Sequence, residues 1–190
     1  MYRELKRSLL IFLVLSLLTG IIYPLAVTGL TQAFFPRQAD GSLVFKKGSC
    51  VGSLLIGQKF TGARYFHGRP SAVDYNAACS GGFNLAPSSR ALAGAVEERY
   101  RSLAADQPEL ARERTPLDLV TGSASGLDPH LSPAAALCQV PRVARARGVS
   151  EEKVRLLVRQ HVQRPVGGIL GEPCVNVLEL NLALDAAFGP

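Results

Sequence analysis

The sequence predicts a mixed α/β domain of the α+β kind, extracytoplasmic and preceded by a single N-terminal transmembrane helix. Three observations carry this. Leu9–Leu30 holds no charged residue over about 22 positions, enough at 1.5 Å per residue to cross a roughly 30 Å hydrocarbon core. Short β-prone runs and a turn-rich tract come next, up to Ser89. Beyond Ser89 four segments show helical periodicity. With 190 residues, the chain has room for this span and one domain, not two. The organisation read from it is a cytoplasmic tail (residues 1–8), a span with its exit segment (9–35) and one domain (36–190).

The apolar run is longer than the roughly 7–15 residues of a cleaved export signal, contains Tyr23-Pro24 and ends without a clean Ala-x-Ala, which favours an uncleaved anchor. Arg3, Lys6 and Arg7 precede it, while Arg37, Lys46 and Lys47 follow it more diffusely. The dense cluster on a short tail puts the N-terminus inside and the domain outside, since long domains translocate largely regardless of charge. Within the span, Ser16, Gly20, Pro24 and Thr28 recur every four residues, a stripe of small or weakly polar groups that lets another membrane helix approach closely. One span without an ionisable group forms no ion pathway alone.

In the domain, Ser42–Phe45 and Val51–Ile56 read as short strands around turn residues. Thr61–Ser89 is a long irregular tract whose Tyr65, Phe66, Tyr75 and Phe83 argue against disorder. It is either a recognition surface built on Arg64, His67 and Arg69 or a loop packed on itself. A helix follows the caps Ser88 and Ser89, with Leu92, Val96, Tyr100 and Leu103 on one face. Ala105–Pro116 is a charged connector and Leu117–Thr121 a strand. Ser132-Pro133 opens a helix that Gly148 closes and Pro141 kinks. Ser150 caps the next helix, with Val154, Leu157, Val158 and Val162 inward. The last helix, Val175–Phe188, aligns Val177, Leu180, Leu184 and Phe188.

The net charge of +6 is diffuse, so nucleic acid is not an expected partner and lipid headgroups are only weakly favoured. Seven Lys/Arg lie in Arg142–Arg164, a pattern that solvated helix faces usually explain. Cys50, Cys79, Cys138 and Cys174 lack metal-ligand spacing; as buried thiols or as two disulfides, both states stay open. Gly122–Gly126 is a small-residue loop of the kind whose amides cradle phosphate, without a Walker A lysine. Ser123, Asp128 and His130 suit a hydrolase triad by type, but closeness in sequence is no evidence for one.

Taken together, the ordered motifs resemble the C subunit family of the bacterial Kdp-type potassium-transporting ATPase. They are Gly20-Ile-Ile-Tyr-Pro-Leu, Phe35-Pro36 with Ala39-Asp-Gly-Ser-Leu, Gly52-Ser-Leu-Leu-Ile-Gly-Gln, Tyr65-Phe-His-Gly-Arg-Pro-Ser, and Ser80-Gly-Gly with Asn84-Leu. Val120-Thr-Gly-Ser-Ala-Ser-Gly-Leu-Asp, Gln139-Val-Pro-Arg-Val-Ala-Arg-Ala-Arg and Val175-Asn-Val-Leu-Glu-Leu-Asn-Leu-Ala-Leu-Asp complete the series. The resemblance implies a non-catalytic accessory subunit, single-pass in the inner (plasma) membrane. Its implied partners are a channel-like potassium-binding subunit, a P-type ATPase subunit and a small membrane subunit. No tightly bound cofactor is implied, but ATP is, through the complex. By the same resemblance Ser123, Ser125, Gly126 and Gln139 are nucleotide-site candidates, with Ser80-Gly81-Gly82 beside them. An exported domain would be out of reach of cytoplasmic ATP and would act on it only through coupled conformations. The alternatives are a membrane-anchored binding module without a pump partner, and the hydrolase.

Overall fold

The computed structural model describes residues 1–108 and 110–189; Glu109, within the expected connector, and Pro190, the last residue of the expected domain, lie outside them. The chain divides into two compact units, Met1–Val51 and the residues from Gly52 onward.

The first unit is dominated by one helix, α1 (Tyr2–Phe34), and no residue of its apolar window is buried. It is not uniformly α-helical. Leu18–Ile22 is a π-helical segment directly before Pro24, which lacks an N–H and whose ring would press on the carbonyl of Gly20 in a regular helix. Each four-residue step of an α-helix advances about 40°, so three steps from Ser16 to Thr28 would swing the small-residue stripe through about 120°. One π turn adds a residue and returns about 100°, leaving the four positions within about 20° of one face. After a single turn at Pro36–Ala39, β1 (Leu43–Lys46) and β2 (Ser49–Ser53) pair as a hairpin. The second strand starts and stops earlier than the sequence suggests, because its turn is Lys47-Gly48, with φ of 52° and 81°.

The second unit holds α2 (Arg90–Asp106), β3 (His130–Leu131), α3 (Pro133–Arg147), α4 (Glu151–Gln160), β4 (Val162–Gln163), β5 (Cys174–Asn176) and α5 (Val177–Phe188). The three short strands form an antiparallel sheet in the order β3-β5-β4, with His130 opposite Asn176 and Val162 opposite Val175. Val140 and Val143 from α3, Val154 and Val158 from α4, Leu180 and Leu184 from α5, Leu131, Val175 and Phe66 build one core. Mixed helix and sheet beside one apolar N-terminal helix matches the expected fold class.

Capping explains the helix boundaries. Ser89, Ser132 and Asn176 each accept a hydrogen bond from the third residue onward, and Gly148 closes α3 at φ 66°. Ser150 stands at the start of α4 but its side chain makes no capping bond, so the dipole-facing Glu151 and Glu152 are what favour that terminus.

Four further expectations need correction. Leu117–Thr121 is no strand: Leu117–Leu119 is a 3₁₀ turn, and the Thr121 hydroxyl donates back to the Leu117 carbonyl at 2.7 Å. The helix expected from Val175 starts at Val177, since Cys174–Asn176 is the central strand. Val162 lies on β4, past the end of α4. The connector begins after Asp106, the residue that ends α2. All four cysteines are free thiols, and burial raises the pKa of Cys138 and Cys174.

Candidate functional site

The motif Tyr65-Phe-His-Gly-Arg-Pro-Ser runs through the second unit without forming a helix or strand, so its buried backbone groups need partners from elsewhere. Two side-chain amides supply them. Asn181 of α5 accepts from the Phe66 N–H at 2.8 Å and donates to the Phe66 carbonyl at 3.0 Å. Gln139 of α3 does the same for His67, at 2.8 and 3.0 Å. Each amide thus acts as one rung of a β-ladder. Both are almost fully buried, at 2% and 1% exposure.

Two arginines of α3 extend the lacing. Arg142 donates to the Ala63 carbonyl and to Gln139 Oε1, both at 2.7 Å. Arg147 donates to the carbonyls of Arg64 and Gly189 and pairs with Asp185 at 2.9 Å, its side chain wholly buried and its guanidinium 5.0 Å from the Tyr65 ring centroid. Two members of the basic run are therefore internal fasteners, not solvated charges. Burial, reinforced by the Arg142 charge, pushes the His67 pKa below its ordinary value, while its Nε2 lies 3.0 Å from the Gly62 carbonyl.

The other end of the motif grips the small-residue loop. Arg69 pairs with Asp128 at 3.1 Å and donates to the Gly122 carbonyl at 3.3 Å. Ser123 N–H donates to the Pro70 carbonyl at 3.1 Å, and the Ser71 hydroxyl to the Gly126 carbonyl at 2.7 Å. Tyr75 donates to the Arg69 carbonyl at 2.5 Å. Burial, with the nearby Asp128 charge, pushes its pKa up to about 12. Ser125 accepts from Gly81 N–H at 2.8 Å and from the Ser80 hydroxyl at 3.1 Å. Gly126 sits at φ 69°, and a Cβ there would lie 2.6 Å from the Gly81 carbonyl oxygen, so only glycine fits this approach.

The fold thus brings Ser123, Ser125 and Gly126 against Ser80-Gly81-Gly82, and puts Gln139 on His67 nearby. All four hydrogen-bonding positions of the Gln139 amide are taken: its oxygen by His67 and Arg142, its nitrogen by the carbonyls of His67 and Ala135. Two open cavities flank the motif. One of about 310 Å³ is lined by Phe83, Leu92, Arg99, Gly122 and Ser123. Another of about 240 Å³ is lined by His67, Arg69, Tyr75, Arg99 and Gln139. Arg99 lies between them, 4.4 Å from the Phe83 ring centroid and donating to the Val120 carbonyl at 2.9 Å. The long tract is ordered by its packing against α3, α5 and the Gly122–Gly126 loop.

The triad does not assemble. Asp128 is held by Arg69 and by the His130 backbone N–H at 2.9 Å, and the His130 ring is 3.8 Å from it. Within the described residues no hydrogen bond joins the Ser123 hydroxyl to His130; the bond Ser123 makes to Pro70 is from its backbone N–H. Among the described residues no group of three or more His, Cys, Asp or Glu is arranged to hold a metal. Sequence reasoning missed Asn181, Arg142, Arg147 and Asp185. The legible signal was a polar residue on an otherwise apolar helix face, Asn181 between Leu180 and Leu184.

Comparison with known families accounts for this arrangement of motifs. Residues 5–186 match the family model described as KdpC, the K+-transporting ATPase c chain. The chain belongs to the KdpC family. It is 54% identical over 201 residues to the potassium-transporting ATPase KdpC subunit of Rhodopseudomonas palustris (strain ATCC BAA-98 / CGA009), covering 98% of each chain. The protein of the same name from Polaromonas naphthalenivorans (strain CJ2) is 57% identical over 185 residues, covering 96% of this chain and 94% of its own. That of Methylobacterium nodulans is 51% identical over 203 residues, with both chains fully covered. These KdpC-family matches extend through α1, the laced motif and α5 alike.

Proposed function

We propose that this chain is a non-catalytic accessory subunit of a potassium-transporting ATPase. The observation that carries the reading is the match to KdpC subunits along nearly the whole chain. The site supports it. Gln139, Asp128 and Arg147, the groups whose chemistry most suggests catalysis or ligand binding, are spent on holding the domain together. In this reading α1 spans the plasma membrane with the N-terminus in the cytoplasm and the domain outside. The realigned face of Ser16, Gly20, Pro24 and Thr28 packs against a membrane helix of the channel-like potassium-binding subunit, where close approach drives association in lipid. The P-type ATPase subunit and the small membrane subunit complete the assembly.

ATP is bound and hydrolysed by the ATPase subunit in this account. The present chain alters ATP affinity by favouring one conformation of the assembly, which needs only a coupling free energy of about 1–3 kcal/mol between sites. Ser123, Ser125, Gly126 and Gln139 serve that role as the joint between the long loop and α3.

The test is co-purification in gentle detergent with the other subunits, followed by potassium-stimulated ATPase assay. Wild type should co-purify and support turnover, with none from the chain alone. Gly20→Leu, which fills the packing face without touching the domain, should reduce recovery of the partner subunits. A solitary wild-type chain, or ATP turnover by it, would refute the proposal.

A further inference from the structure

Outside α1, three large aliphatic side chains stand together in the open: Val166, Ile169 and Leu170, 75%, 85% and 71% exposed. They occupy the tip of the turn that connects β4 to β5, between Pro165 and Gly171. Such a concentration marks a contact surface rather than the scatter of single apolar residues found on any protein.

The backbone of this tip pairs part of itself. Val166 N–H donates to the Leu170 carbonyl at 2.9 Å, and Leu170 N–H returns the bond to Val166 at 3.1 Å. Gly168 N–H donates to Pro165 at 3.0 Å and Ile169 N–H to Val166 at 3.3 Å. Gly167 and Gly168, at φ 63° and 77°, make so tight a turn possible. An apolar medium penalises every unpaired backbone group, so these four internal bonds lower the cost of bringing the tip to the boundary of one, where its remaining backbone groups stay within reach of headgroups and water. Exposed Arg164 directly precedes Pro165 and the tip, and Glu172 follows it, so a cation stands at the start of the turn, where phosphate headgroups would meet it.

We propose that this tip is a second membrane contact, inserting Val166, Ile169 and Leu170 into the headgroup–acyl boundary of the bilayer that α1 spans. The occupant follows from the chain itself. Only Phe35–Val51, about 17 residues, connects the end of α1 to the second unit, and even fully extended it reaches no more than about 60 Å, so that unit always works beside a lipid surface. The inference rests on α1 being a membrane anchor.

The chain contains no tryptophan, so Ile169→Trp provides a single reporter at an exposed position outside the core. The full-length variant is reconstituted into phosphatidylglycerol–phosphatidylcholine vesicles with brominated acyl chains. The reporter should emit to the blue of its value in urea and lose on the order of half its emission to the bromines. Leu117→Trp, at a position 71% exposed on a different segment, should not be quenched. A solvent-like, unquenched Ile169→Trp reporter would overturn the proposal, as would equal quenching at both positions. A blue-shifted but unquenched reporter in the assembled complex would overturn it in favour of a protein partner. Carbonate extraction separates the two readings: a chain lost to the supernatant refutes the anchor, whereas a retained chain with an unquenched reporter refutes only the tip contact.

Discussion

Replacing Gln139 by Leu removes an amide of nearly the same volume, so packing changes little and the hydrogen bonds are what is tested. Four groups lose a partner: the His67 N–H, the His67 carbonyl, Arg142 Nη2 and the Ala135 carbonyl, whose 3.4 Å bond is long enough to count for little. Each unmet buried group costs about 1–3 kcal/mol; Arg142 keeps its bond to Ala63, which holds its share near the low end. The total is about 3–6 kcal/mol, a large part of the roughly 5–15 kcal/mol that stabilises a domain. At a urea slope of about 2 kcal/mol/M, the midpoint should fall by about 1.5–3 M.

The assay is urea unfolding of the full chain in detergent, followed by far-UV circular dichroism. Gln139→Glu is the informative companion. A carboxylate still accepts from His67 and Arg142 but offers nothing to the carbonyls of His67 and Ala135, so about half the loss should return. A Gln139→Leu midpoint within about 0.3 M of wild type would refute the view that this amide is a structural rung. A wild-type midpoint with altered ATP affinity of the assembly would instead favour direct nucleotide contact by Gln139.

Three further outcomes follow from the same contacts. The folded-state pKa of His67 is depressed by burial and by Arg142, so its stabilising contribution is complete above about pH 6.5. That contribution should shrink as pH falls from there toward the folded value, because the unfolded chain then binds more protons; the urea midpoint of His67→Gln should depend less on pH between 7.5 and 5.5 than that of wild type, those being about one unit either side of the reference value. At Gly122 an added Cβ would lie 2.3 Å from Phe83 Cδ2, so Gly122→Ala should cost about 1–3 kcal/mol and the double variant with Phe83→Ala should recover most of it, as read in a double-mutant cycle. Asn181→Leu strips both bonds from Phe66 and should cost about 2–5 kcal/mol, measured by the same unfolding assay.

Much of the fold was legible because its signals are local. Ser132-Pro133 and Gly148 bracket α3, and the apolar spacing Val177, Leu180, Leu184 identifies α5, because capping and helical period act within a few residues. The three-stranded sheet was not legible, for the opposite reason. His130–Leu131 and Val162–Gln163 are too short to show alternation, and they exist because each pairs with Cys174–Asn176, the first across a long separation and the second across the irregular turn at residues 164–173. Leu117–Thr121 imitates a strand by composition, yet Asp118 is used to receive the Ser132 N–H at 2.8 Å, which its 3₁₀ turn permits. At the site, sequence reasoning selected Gln139 through a family likeness, whereas its physical role follows from an amide buried on an apolar helix face. Its counterpart Asn181 carries the same signal and was overlooked. The cysteines could not be decided from spacing, since disulfide geometry depends on Cα separations that only the fold supplies.

The use of side chains in place of strand partners has a consequence for how such a subunit works. A loop held by a β-ladder can slip or peel one rung at a time, but Phe66 and His67 are held by amides from two different helices, α5 and α3. Arg147 of α3 joins the same two helices through Asp185, and Arg69 ties the loop onward to Asp128 and Gly122. To move this loop alone, several buried polar groups would have to be exposed or left unpaired at once, at about 1–3 kcal/mol each. Loop, α3 and α5 therefore respond to a partner as one body. A surface that moves as one body can bias the conformation of whatever it is docked on without any chemistry of its own, as the proposed accessory role requires.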